Sequence, residues 1–109
     1  MSAEKLIALQ RYYPSAQLLA EGGQSVVFLP GLKVDAPEGQ IEFDGLLHPQ
    51  PHTGYSTRLF ITRTITAPLA QNWTAHSLCG KSWWACSWQN VGAELPWIDM
   101  LANHLRAFR

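Results

Sequence analysis

Two thiols, several hydroxyls and all five tryptophans of the chain lie between Trp73 and Trp97. The centre of that stretch reads His76-Ser-Leu-Cys-Gly-Lys-Ser-Trp-Trp-Ala-Cys-Ser-Trp88. Cysteine and serine are the side chains that carry a transferred group, the first as a thiolate, the second only with a base to take its proton. Cys79 and Cys86, with the hydroxyls around them, suggest a walled site holding something reactive. Indole rings with large apolar faces would wall such a site. The competing reading is plain: an aromatic-rich core in which both cysteines are small buried hydrophobes.

Zinc chemistry fits less well. His48, His52, His76 and His104 accompany the two cysteines, but no CxxC pair occurs and the spacings repeat no structural zinc pattern. His48 and His52 flank a loop with two prolines, Pro49 and Pro51, and are expected to pin it by hydrogen bonds. Tyr55 is expected to put its ring in the core and its hydroxyl on a loop.

The elements that must position these groups follow from the pattern. The run from Ser2 to about Tyr13 reads as a helix, with Ser2 placed to cap it, Leu6, Ile7, Leu9 and Tyr13 as its apolar side, and Pro14 ending it. Ala16–Ala20 and Gln24–Leu29 are strand-like runs around Gly22-Gly23, a hairpin signal. Pro30-Gly31 interrupts the second run, and Leu32–Val34 resumes it after a bulge. Further strands are read at Ile41–Leu47, Tyr55–Ile65 and Trp73–Leu78, with a turn at Gly80. Trp83 and Trp84 are adjacent, so an extended segment there would send one indole to each side. A final helix opens at Pro96, where Trp97, Ile98, Leu101, Leu105 and Phe108 recur at helical spacing. Asp99 near its start and Arg106 and Arg109 near its end suit the helix dipole.

Helix, about four consecutive strands, an irregular loop region and a helix argue for a single α+β domain over 1–109 with an antiparallel meander. Eight Lys and Arg balance eight Asp and Glu, and no basic block exists, which argues against an electrostatic grip on nucleic acid. Charged residues are only 15% of a chain that is 47% apolar, so part of the surface is expected to face a partner. No run approaches the length of a membrane span and the first residues do not form a signal peptide, so the cytoplasm is the expected compartment.

That element order, together with several motifs, resembles the ubiquitin-conjugating enzymes. Ser77-Leu78-Cys79 is similar to the tripeptide bearing their conjugating cysteine, and Trp88 follows nine residues on, near where they place a tryptophan. The likeness is strongest to the short bacterial group called prokaryotic ubiquitin-conjugating family E. Its Leu-Leu-His-Pro, Gly-Tyr-x-x-Arg-Leu-Phe, Trp-x-x-x-Ser-Trp-x-Asn-Val and His-Leu-Arg segments stand here as Leu46–Pro49, Gly54–Phe60, Trp83–Val91 and His104–Arg106. The resemblance spans roughly Ile41 to Phe108. It implies the ubiquitin-conjugating fold, with Trp73–Trp97 as the active-site loop, and it implies acyl transfer. The C-terminal acyl group of a ubiquitin-like protein would pass from a ThiF-type activating enzyme to a nucleophile here, and then to an amine. A JAB-type peptidase would be encoded nearby, and this subunit would need no cofactor because the activating enzyme consumes the ATP.

Within the resemblance, Cys79 is the first candidate carrier, with Gly80 leaving room for an incoming tail and Lys81 placed to lower the thiol pKa. Ser87 would carry an oxyester, with His76 or His104 as base, and Cys86 is the third candidate. Glu4, Lys5 and Arg11 on the first helix would meet the activating enzyme, unless they are simply a solvated face. The His-Pro-Asn tripeptide usual before the conjugating cysteine is absent near Cys79. Its absence defines the alternative, a catalytically inactive adaptor of the same pathway.

Overall fold

A computed structural model describes residues 2–109, the side chain of Ser2 excepted, so the expected Ser2 cap lies outside the described residues. Gly22 and Gly23, at φ +57° and +82°, close the first hairpin between β1 (Gln17–Glu21) and β2 (Gln24–Ala36). Positive φ at both central positions gives the turn whose twist matches its strands, and glycine takes it without steric cost. Helix α1 precedes this hairpin and spans Ser2–Gln10, shorter than the sequence suggests.

β2 pairs antiparallel with β3 (Gly39–His48), and the register slips between Leu29 and Leu32, where Pro30-Gly31 forms the expected bulge. One extra residue reverses the alternation, so that Val27 and Leu29 before the bulge and Leu32 and Val34 after it all pack in the same core. The bulge is anchored by the Gly31 N–H, which donates to Asp44 Oδ1 at 2.9 Å. Gly45 lies beneath it, because a Cβ there would stand 2.6 Å from Leu32 Cδ1.

β4 is only Arg58–Ile61, although alternation suggested Tyr55–Ile65. Beyond it come β5 (Thr74–Leu78), β6 (Lys81–Ala85), helix α2 (Trp97–Leu105) and a 3-10 turn over Arg106–Phe108. The sheet order is β1-β2-β3-β4-β6-β5, antiparallel throughout. β4 and β6 meet at one register pair, Ile61 opposite Trp84.

This architecture corrects the expected fold. The chain is mostly a six-stranded antiparallel sheet with two small helices, not an α+β ubiquitin-conjugating fold with a four-stranded meander. Trp73–Trp97 is accordingly no irregular active-site loop. Its first half is the β5–β6 hairpin, turned by Cys79 and Gly80 at φ +50° and +73°. The strand Lys81–Ala85 escapes a periodicity argument for a physical reason. Trp83 is buried on one face while Trp84 is half-buried on the other, so apolar residues do not alternate with polar ones.

The sheet has two unlike faces. α1, α2 and the 3-10 turn cover one, packing Leu9, Trp97, Met100, Leu101 and Phe108 against Val27, Phe43, Leu59 and Ile61. The opposite face gathers Val26, Leu46, Phe60, Leu78, Trp83 and Ala85 into a second cluster, over which no helix of the described residues packs. The two outer hairpins meet, because the backbone N–H of Cys79 donates to Glu21 Oε2 at 3.1 Å. β1 and β5 are the opposite edges of the sheet, so this contact means the sheet curls around the second cluster. Among the described residues no helix is long and apolar enough to cross a membrane.

Candidate functional site

The proline-bearing segment after β3 folds back over the second face and builds a cleft. His48 Nδ1 meets the Gln50 carbonyl at 2.8 Å, and Gln50 Nε2 donates to the Ser25 carbonyl at 2.8 Å. His52 and Tyr55 exchange backbone hydrogen bonds of 2.9 and 3.0 Å around a tight turn with Thr53 and Gly54 at positive φ. His52 Nδ1 contacts Thr53 Oγ1 at 3.1 Å. Both histidines thus hold the loop, as expected for them.

The turn aims Tyr55 across to the end of β6, where its hydroxyl hydrogen-bonds Ser87 Oγ at 2.5 Å. Ser87 is itself held by its backbone N–H, which donates to the Gln71 carbonyl at 2.8 Å. Beneath the tyrosine lies Arg58. Its guanidinium stands 4.0 Å from the centre of the Tyr55 ring and donates to Thr53 Oγ1 at 2.9 Å and the Cys86 carbonyl at 3.1 Å. Arg58 is 5% exposed, and no carboxylate among the described residues pairs with it. A buried cation held only by neutral acceptors favours an anion beside it.

Thr53, Tyr55, Arg58, Asn72, Thr74, His76 and Ser87 together line an open cleft of about 300 Å³. The lining carries one permanent positive charge and no carboxylate. His76 Nε2 is 2.8 Å from Thr74 Oγ1, and its ring packs edge-on against Phe60 and His52, with centroids 5.0 and 5.6 Å away. Burial, with Arg58 adding to it, holds His76 below the ordinary imidazole range. His52 is lowered by burial first and then by His48, His76 and Arg58. At neutral pH His76 is therefore a neutral imidazole, the form that accepts a proton.

The candidates from the sequence part company here. Ser87 and His76 line the same cleft. Cys86 is next to it in the chain but points into the core, where burial pushes its thiol up to about 11. With Arg58, Leu59, Trp88, His104 and Phe108 it lines a cavity of about 10 Å³. Cys79 sits at the far tip of the hairpin, and burial followed by the Glu21 carboxylate raises its thiol pKa. Lys81 does not oppose this; its ammonium lies 5.6 Å from the centre of the Phe28 ring. A raised pKa removes thiolate, which is the reverse of what an activated carrier needs.

His104, the other candidate base, is committed elsewhere. The Thr57 hydroxyl donates to the Val91 carbonyl at 2.8 Å, so the Nε2–H of His104, 2.9 Å away, donates to Thr57. Burial first, and then Arg58, lower this imidazole to about 4. It is a structural tie between α2 and the segment before β4.

Tryptophan serves as wall and strut. Trp83 Nε1 donates to the Leu78 carbonyl at 2.9 Å, Trp88 Nε1 to Asn103 at 3.0 Å and Trp73 Nε1 to Ala70 at 3.1 Å. Arg58 was the residue that sequence reasoning missed. Its one signal was an arginine inside a short strand that is otherwise Leu-Phe-Ile, within the Gly54–Phe60 motif. No family model matches the chain, and no curated protein or solved structure matches it either.

Proposed function

We propose that this chain accepts the C-terminal acyl group of a ubiquitin-like protein on Ser87, as an oxyester, and passes it to an amine. The observation that carries the reading is the Tyr55–Ser87 hydrogen bond at the mouth of a cleft floored by an unpaired, buried Arg58. Further support comes from the motifs behind the sequence resemblance. Tyr55 and Arg58 of one segment and Ser87 of another, far apart in the chain, converge on this cleft.

In the first step Ser87 Oγ attacks the carbonyl carbon of the thioester that joins the modifier to a ThiF-type activating enzyme. The hydroxyl proton passes to the neutral His76, directly or by relay through the Tyr55 hydroxyl, the C–S bond breaks, and the departing thiolate takes up a proton. In the second an amine attacks the oxyester carbonyl, the C–O bond breaks, and Ser87 regains its proton as the amide forms. Arg58 supplies positive charge beside the oxygen that becomes negative in each tetrahedral intermediate.

Incubation with the activating enzyme, the mature modifier and ATP, followed by gel analysis, tests this. The expected adduct survives thiol, is lost in mild alkali, is absent in Ser87→Ala and persists in Cys79→Ala. A thiol-labile adduct lost in Cys79→Ala moves the role to the cysteine. No adduct under any condition sinks the carrier reading and leaves the adaptor.

A further inference from the structure

The open edge of β5 runs directly into this cleft. Among the described residues β5 pairs only with β6, and the order of the sheet ends with it. The two-residue Cys79-Gly80 turn closes on Leu78 opposite Lys81, which makes that a hydrogen-bonded pair. Alternation then makes His76–Trp83 and Thr74–Ala85 hydrogen-bonded pairs as well. Ala75 and Ser77 are left with their N–H and C=O groups directed away from β6, along an exposed edge. The strand reads Thr-Ala-His-Ser-Leu, without the lysine, proline or bulge that usually blunts such an edge.

We propose that the β5 edge binds the extended C-terminal tail of a partner protein as a seventh, antiparallel strand and delivers its terminal carboxyl to the Arg58–Ser87 cleft. The direction is set by the chain. β5 starts at Thr74, beside the cleft, and ends at the Cys79 tip, beside Glu21. An antiparallel tail runs from the tip to the cleft, so its last residue arrives at Ser87. A parallel tail would bring its carboxylate to Glu21 instead, like charge against like. Charge agrees with the antiparallel choice at both ends, since the cleft presents Arg58 and no acid. Backbone pairing supplies affinity with little demand on the tail's side chains, as in other strand additions.

The inference rests on the acyl-carrier reading for the fate of the carboxyl, but the docking itself is tested separately. The probe is a short fluorescent peptide of alternating valine and threonine ending in two glycines with a free carboxylate, added to the full chain. Its binding is expected to slow amide exchange at Ala75 and Ser77. Ser77→Pro removes only an outward-facing N–H, a place where an edge strand tolerates proline. It is expected to weaken binding about tenfold or more, as is amidation of the peptide's C-terminus. Ala20→Pro, the equivalent change on the β1 edge, is expected to leave binding unchanged.

Affinity indifferent to Ser77→Pro, or no protection at Ala75 and Ser77, overturns the docking site. So does a free chain that dimerises and becomes monomeric in Ser77→Pro, which would make β5 a self-pairing edge. An adduct on Ser87 formed equally well by Ser77→Pro removes the docking and keeps the carrier. Peptide binding with no adduct on the wild-type chain does the reverse.

Discussion

Arg58 is a full positive charge, 5% exposed, whose partners are a tyrosine ring, a threonine hydroxyl and a carbonyl oxygen. Such a group costs stability unless something negative comes to it, which is why the cleft reads as a place for a carboxyl. Its field also reaches the histidines, although burial is the larger cause of their depression. Arg58→Gln is expected to move the titration of His52 and His76 upward, followed by the ring-proton shifts of each histidine in NMR. Tyr55→Phe keeps the ring beneath which Arg58 packs and removes only the hydroxyl on Ser87. We expect it to slow adduct formation on a time-course gel by about a hundredfold, the lower end of what acid–base assistance supplies. Its effect on thermal stability should stay near 1 kcal/mol, the usual worth of one hydrogen bond. The motif match put Ser87 among the candidates, with His76 as a base that the fold would have to bring near. Residue type did not reveal Arg58, because an arginine in an alternating strand looks like an outward-facing one until the covering loop is known.

At the level of elements, the two-residue turns and the bulge are where local chemistry dictates the path. Cys79 takes φ +50° with a Cβ, which asparagine tolerates better than cysteine. Asn-Gly is the favoured sequence for such a turn. Cys79→Asn is therefore expected to stabilise the chain by about 0.5–1 kcal/mol in chemical denaturation, and to retain adduct formation. Gly45→Ala should do the opposite, because a new methyl 2.6 Å from Leu32 Cδ1 has to displace it. A loss of about 1–3 kcal/mol is the ordinary result of such overpacking. Gly22-Gly23, Pro30-Gly31 and the apolar side of α2 were legible because each has a local signature. β6 was not, since its two tryptophans serve opposite faces of the sheet. The pairing of β6 with β4, which places the hairpin inside the order of the sheet, has no local signature at all.

For the whole molecule, acid is the informative variable. His104 is lowered from the usual 6.5 to about 4, and His52 and His76 move in the same direction. The unfolded chain thus holds these protons more tightly than the folded one, so stability is full above about pH 6.5 and declines as pH falls toward 4. His104 alone accounts for about 3 kcal/mol over that window. Denaturant midpoints measured between pH 7 and 4 should fall accordingly. His104→Gln, which keeps an N–H for Thr57 but cannot titrate, should flatten the decline.

In backbone pairing the β5–β6 hairpin meets the rest of the sheet at one register pair, Ile61 with Trp84, beside the Glu21 contact at its tip and the packing of Leu78, Trp83 and Ala85 in the second cluster. β2 and β3, by contrast, are paired from Val27 with Leu47 to Ala36 with Gly39. Two such unequal seams give the molecule two tiers of cooperativity. The hairpin is expected to detach first in a sub-global opening, while β2–β3 and the helices persist. In that opened form Trp83 and Phe60 meet water together, so tryptophan emission should shift before helical circular dichroism is lost. An opened hairpin can also re-pair with the vacated seam of a neighbouring chain. Domain exchange, rather than random aggregation, is the form of self-association expected of this protein at high concentration under mild denaturing stress.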